Sequence, residues 1–131
     1  YMMNRGYTAG ANITWADFNL KDANPNNIPA FNTPEYTTNV TFGNSNVYKN
    51  FGFNLAWHWQ DAFDWYGTFN GNRPGRINAY SQINKKIPSV NAIVKLGGSN
   101  ILNHRVYQAF GSPAVGALYY VSVVFDGLLN K

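Results

Sequence analysis

The side chains able to do chemistry are few, and their spacing keeps them apart. His58 and His104 are the only histidines and there is no cysteine. A metal ion needs three or four converging ligands, so no metal site is expected, and thiolate chemistry is excluded. Asp61 and Asp64 lie three residues apart, and in an extended chain such residues face opposite sides. That spoils the facing carboxylate pair that glycoside hydrolysis uses. Gly71 and the Gly97-Gly98 pair lack the strand-to-helix switch of a phosphate-cradling loop; strand bending and close packing of neighbours account for them. Lys95 and Asp126 are charges in otherwise apolar stretches, where a structural salt link is the simpler reading. No catalytic residues and no cofactor are expected, and the chain reads as a non-enzyme.

Composition agrees. The 131 residues suffice for one domain. Only 12% are charged, 17% are aromatic and 20 are Asn, against about 25% charged in an average soluble domain. This profile argues against disorder, which needs low hydrophobicity and high charge, and against a helical bundle. The net charge of +4 is spread thinly: of the ten basic residues only Lys85 and Lys86 are adjacent. With no basic stripe, no nucleic-acid partner is expected. No run of 18 apolar residues is present, which excludes a transmembrane helix. The opening Tyr1-Met2-Met3-Asn4-Arg5 has no apolar signal core behind it, so a mature product or a piece of something longer is expected.

The elements that must position these residues have period two. From Phe51 to Tyr66 the odd positions read Phe51, Phe53, Leu55, Trp57, Trp59, Asp61, Phe63 and Trp65. The even positions read Gly52, Asn54, Ala56, His58, Gln60, Ala62, Asp64 and Tyr66. A helix would smear these two sets around its circumference, so the segment is a strand. The same alternation recurs over 7–15, 36–42, 77–87, 92–97 and 117–126, giving six expected strands. Connections alternate between long and short: 19–34 long, 44–49 short, 68–75 intermediate, Pro88-Ser89 tight and 104–116 long. An up-and-down sheet with long loops at one end and short turns at the other is the plan of outer-membrane β-barrels.

Alternation alone does not separate a membrane barrel from a soluble β-sandwich, since both have one apolar face. Three features tilt towards the barrel. The polar face is Asn, Thr, Gln, Ser and Gly rather than Lys and Glu, which suits a crowded, water-filled lumen. Trp15, Trp57, Trp59, Trp65 and Tyr7 lie toward strand ends, where interfacial girdles belong. With them, Phe51 to Trp59 is a nine-residue band, close to the roughly 9–11 residues of a tilted membrane strand. The C-terminus is the third feature: a Gly, then alternating apolar and aromatic residues finishing at Phe125. Parity then turns Asn54, His58, Gln60, Lys95 and Asp126 toward the lumen. The alternative is a soluble, aromatic-rich sandwich that binds glycans through surface Trp and Tyr. The sequons at Asn12 and Asn39 are chance matches.

The last forty residues carry a resemblance. Lys86-Ile87-Pro88-Ser89-Val90-Asn91-Ala92-Ile93-Val94-Lys95-Leu96-Gly97-Gly98-Ser99-Asn100-Ile101-Leu102-Asn103 resembles the penultimate strand of TonB-dependent outer-membrane receptors of the Bacteroidetes-like type. A loop with Tyr107-Gln108-Ala109-Phe110-Gly111-Ser112-Pro113 follows, then a final strand, Leu118 to Asp126. Phe31-Asn32-Thr33-Pro34-Glu35-Tyr36 is similar to an "FNTPxH" lead-in with Tyr36 in place of His. Asn50-Phe51-Gly52-Phe53-Asn54 with Trp57-His58-Trp59-Gln60-Asp61 is similar to the next strand, "NFGFxxxWxWQD". The likeness covers essentially the whole chain in order. It departs at the end, where Gly127-Leu128-Leu129-Asn130-Lys131 follows the terminal aromatic.

The resemblance implies an all-β fold: the last six antiparallel strands of a transmembrane barrel of about 22 strands. The plug domain, the TonB box and the earlier strands would lie outside these residues. It implies an active importer of a scarce nutrient in the outer membrane of a Gram-negative bacterium. Implied partners are the rest of the barrel and plug, the TonB energy-transducing complex, the barrel-assembly machinery and outer-membrane lipid. Gly116, Tyr119, Val121, Val123 and Phe125 resemble the terminal signal that assembly machinery reads. The loops around 24–27 and 104–116 would help capture substrate, whose identity the residues leave open.

Overall fold

A computed structural model describes residues 4–18, 32–67, 70–107, 111–125 and 127. After a 3₁₀ turn at Asn4–Gly6 come ten strands: β1 (Tyr7–Trp15), β2 (Tyr36–Tyr48), β3 (Phe51–Gln60), β4 (Phe63–Trp65), β5 (Gly71–Arg73), β6 (Arg76–Ile87), β7 (Ala92–Ser99), β8 (Val106–Tyr107), β9 (Ala114–Val115) and β10 (Leu118–Phe125). The six long strands form one antiparallel sheet in the order β1-β2-β3-β6-β7-β10. The four short ones pair as two ribbons, β4-β5 and β8-β9. The fold is all-β and meandering: every long strand lies beside its neighbour in the chain.

Register follows the alternation. One cross-strand row runs Ala9, Phe42, Leu55, Ser81, Gly98, Tyr119. The next runs Thr8, Gly43, Asn54, Gln82, Gly97, Tyr120. Rows alternate between faces because successive side chains do. The apolar halves of all six strands therefore fall on one face and the polar halves on the other.

Connections sort by end. At one end β2 meets β3 through Lys49-Asn50, both with positive φ (43° and 67°), the two-residue turn whose twist suits a hairpin. At the same end β6 meets β7 through a 3₁₀ turn, Pro88–Val90, and left-handed Asn91, whose N–H donates to Pro88 O at 3.1 Å. At the opposite end the chain carries the connections 61–75 and 100–117, each holding one of the ribbons.

Four expected boundaries are corrected. The strand written over 51–66 stops at Gln60. There the Asp61 carboxylate accepts the Ala62 N–H at 2.7 Å, a local bond that competes with the ladder; β4 begins afresh at Phe63. The short loop expected at 44–49 is mostly strand, because β2 runs on to Tyr48 across a register shift between Asn44 and Tyr48. Gly52 accommodates that bulge: a Cβ there would lie 2.6 Å from Asn44 O and Ser45 O. The tight turn expected at Pro88-Ser89 spans four residues. The 68–75 loop contains β5 and the 104–116 loop contains both β8 and β9; period-two reading passes over them, since two or three residues show no period.

The sheet is a single layer. Among the described residues Ala79 and Ala92 are the buried apolar side chains (7% and 3% exposed), and no large side chain is fully buried. Ile13, Val40, Phe42, Leu55, Trp57, Ile83, Leu96, Val121, Val123 and Phe125 are exposed on the apolar face, against Leu118, Tyr120 and Val124 on the other. A soluble domain hides such a face against a second layer. Among the described residues neither a second sheet nor a helix covers it, and no helix is long and apolar enough to cross a membrane.

Candidate functional site

Aromatic residues on the apolar face gather at both ends of the sheet. At the loop end stand Trp15 opposite Tyr36 and, further along the sheet, Trp57 and Trp59. At the turn end Tyr7 stacks on Phe42 with ring centroids 5.8 Å apart, and Phe53 sits 5.6 Å from Phe42. Small and aliphatic side chains share these rows: Ala9 and Leu55 flank Phe42, and Ala11 and Val40 line up with Trp57.

On the polar face side chains satisfy one another across strands. His58 Nδ1 lies 2.6 Å from Asn39 Oδ1; with the amide oxygen turned to the ring, Nδ1 carries the proton and donates. Arg76 Nε donates to Gln60 Oε1 at 3.0 Å, and Gln60 is buried. Asn54 reaches across the strand toward Gly43, where a Cβ would come within 2.5 Å of its Oδ1. Lys95 sits between Asn84 and Ser122 in register and is half-buried. Asn54, His58, Gln60 and Lys95 therefore share the one polar face. Asp126 lies outside the described residues.

The last strand is tied in by a contact that parity alone does not reveal. Tyr120 lies opposite Gly97, and a Cβ on Gly97 would meet its ring carbon and hydroxyl at 2.6 Å. The ring thus passes over the glycine to the second strand away, where its hydroxyl donates to Gln82 Oε1 at 2.8 Å. Tyr80 Oη stands 2.6 Å from Tyr120 Oη and donates to the same Gln82 oxygen at 3.0 Å. The triad joins β6 to β10 over β7. Its signal in the sequence is small: a glycine in a strand with a tyrosine placed to cross it.

On β10, Tyr119, Val121, Val123 and Phe125 form one row, exposed at 73%, 71%, 53% and 77%. Among the described residues β10 pairs with β7 on one side only and β1 with β2 on one side only, which leaves the other edge of each open. Gly116 precedes the strand where space is short: a Cβ there would stand 2.7 Å from Asn103 Oδ1, which accepts the Ala117 N–H at 3.0 Å. Asn103 (φ 54°) belongs to a turn in which buried Asn100 donates to His104 O at 2.6 Å and accepts the His104 N–H at 3.2 Å. His104 thus anchors a loop through its backbone.

The two ribbons meet at the loop end. Arg73 on β5 lies over Phe63 and Trp65 of β4, 5.6 Å from each ring centroid, and its guanidinium donates to the Tyr107 carbonyl of β8. Beside this junction opens a cavity of about 370 Å³, lined by Trp59, Arg73, Arg76, Ile77, Arg105 and Tyr107 among others. Asp64 is turned to Asn72, whose side-chain amide donates to it at 2.9 Å. Among the described residues no three His, Cys, Asp or Glu side chains group as metal ligands would.

Compared with protein-family models, with curated proteins and with solved structures, the chain matches none.

Proposed function

We propose that this chain is the C-terminal wall of a TonB-dependent outer-membrane importer, the last six strands of a larger β-barrel. The observation that carries the reading is the single-layer sheet with an apolar face that nothing covers. Water does not tolerate such a face on an isolated domain, while lipid requires it of a barrel wall. The polar face, with its mutually satisfied Asn, Gln, His and Tyr, is then the lumen wall, and the aromatic belts mark the two interfaces. Long connections belong outside and tight turns in the periplasm. That assigns the ribbons to the outer surface and both Tyr7 and Phe125 to the periplasmic end.

The open edges of β1 and β10 take the remaining strands of the receptor, because an unpaired edge in hydrocarbon costs several kcal/mol per unsatisfied group. Plug, TonB complex and assembly machinery are the partners of that whole receptor. The outer loops contribute to substrate capture, and this segment is assigned no catalysis. A soluble glycan-binding sandwich would need a second sheet over Leu55, Trp57 and Val121, and no observation favours it.

The test is fractionation of the chain with its natural flanks in place. The expected outcome is recovery in outer membranes, solubility only in detergent, and a folded species whose gel mobility shifts on boiling. A monodisperse protein in buffer without detergent would overturn the reading.

A further inference from the structure

We infer that the cavity between the two loop ribbons binds the phosphate of an anionic ligand. Arg73, Arg76 and Arg105 line it together, although Arg105 stands 29 residues from Arg76 in the chain. Among the described residues Arg105 makes no ion pair or hydrogen bond, and Arg76 is engaged only by the neutral Gln60. The one acidic side chain nearby in the ribbons, Asp64, is turned to Asn72 on the β4-β5 pair. Arg76 and Arg105 thus bring two cations without an acidic partner among the described residues to this cavity, beside Arg73, whose guanidinium is already engaged by the Tyr107 carbonyl; an anion between them would offset their repulsion. The guanidinium fork is the side chain best matched to phosphate oxygens.

The cavity also has an apolar wall. Trp59 and Ile77 lie opposite each other in register and belong to the apolar face, at its loop end. Tyr107 completes the lining from the other ribbon. A charged group held by the arginines thus has room for an attached apolar body running onto the Trp59–Ile77 row. This is the chemistry of a phosphorylated amphiphile. Resting on the membrane reading, the source is a lipid headgroup of the outer leaflet; a free phosphate compound is the other source of the same anion.

The test uses the protein with its natural flanks in place, in neutral detergent, with three probes: dioleoyl phosphatidic acid, the uncharged dioleoylglycerol and inorganic phosphate. Lipid retention is read by native mass spectrometry and phosphate binding by calorimetry. Phosphatidic acid is expected to bind at least about tenfold more tightly than dioleoylglycerol, the worth of a charge-assisted hydrogen bond. Arg105→Gln is expected to remove most of that preference. Arg105 holds no other group in place, so the variant keeps its circular dichroism spectrum. Arg73→Gln should act in the same direction. Inorganic phosphate binding as tightly as phosphatidic acid, and lost in the same variants, identifies a free anion as the ligand. Equal retention of the charged and uncharged lipids with no phosphate binding overturns the site, as does a preference unchanged in both variants. A chain that stays monodisperse without detergent would defeat the membrane reading alone, because the phosphate arm still decides the cavity.

Discussion

The two faces of the sheet are built from the same strands, one residue out of step, and they solve opposite problems. On the polar face side chains find hydrogen-bond partners on the adjacent strand, His58 with Asn39 and Gln60 with Arg76, and two strands away, Tyr120 with Gln82. On the apolar face they find only their immediate neighbours, and Val121, Tyr119 and Phe125 remain more than 70% exposed. The polar face holds its own hydrogen bonds across the strands. The apolar face is complementary to something outside the chain. On the proposed reading that medium is lipid, because contact on one side alone forfeits the burial that offsets chain entropy.

The sharpest way to break this comparison is to put a charge on each face at adjacent positions. Leu55 and Ala56 are neighbours in β3 and point oppositely. If, as proposed, the Leu55 row faces lipid and the Ala56 row the lumen, arginine at the lipid midplane costs about 2–4 kcal/mol, whereas a lumen position tolerates it. Leu55→Arg should therefore deplete folded protein strongly, and Ala56→Arg only slightly. Equal yields of heat-modifiable protein from the two variants would mean that the faces have been assigned wrongly.

A smaller loss is expected from the polar face when its crossing point is filled. Gly97→Val places atoms where the Tyr120 ring lies and separates that hydroxyl from Gln82. Overpacking of this kind costs about 1–3 kcal/mol, read as a lower denaturant midpoint. Tyr120→Phe keeps the ring and deletes the hydroxyl, so it should cost about 1 kcal/mol. If the phenylalanine variant were as damaging as the valine one, the hydrogen bonds rather than the fit over Gly97 would be what joins β10 to β6.

The difference between the faces also explains what the residues revealed in advance. Six strands and their facing were legible because each long strand repeats its pattern over four or more side chains, as Phe51 to Gln60 does. Where the pattern is short it fails: β5, β8 and β9 have two or three residues each, and the bulge at Ser45 to Val47 carries Asn and Ser, which read as a loop although the strand runs on through them. Of the polar-face positions, Asn54, His58, Gln60 and Lys95 follow from parity. The Tyr80–Gln82–Tyr120 triad does not, because two of its members lie 40 residues apart and only the register brings them together. The arginine cavity was hidden for the same reason. Its cations look scattered along the chain until the ribbons fold back over the sheet end.

The smallest equilibrium effect is expected at the end of the apolar row. Phe125 is 77% exposed on a strand with one open edge, so its loss opens no cavity and breaks no hydrogen bond within the sheet. Its proposed work comes before the barrel closes. A strand that must add along the edge of the assembly machinery is held by main-chain pairing, with alternate side chains setting specificity; Phe125 stands in that alternate row with Tyr119, Val121 and Val123. Tyr120, by contrast, is engaged with Gln82 once the sheet has formed, and so acts late. Phe125→Ala should slow the appearance of folded receptor in a pulse-chase and raise its degradation, while leaving the denaturant midpoint of the folded fraction unchanged. Tyr120→Phe should do the reverse, lowering the midpoint at a normal insertion rate. If Phe125→Ala inserts at the wild-type rate, the aromatic is one more member of the interfacial belt, and the signal role passes to other residues of β10.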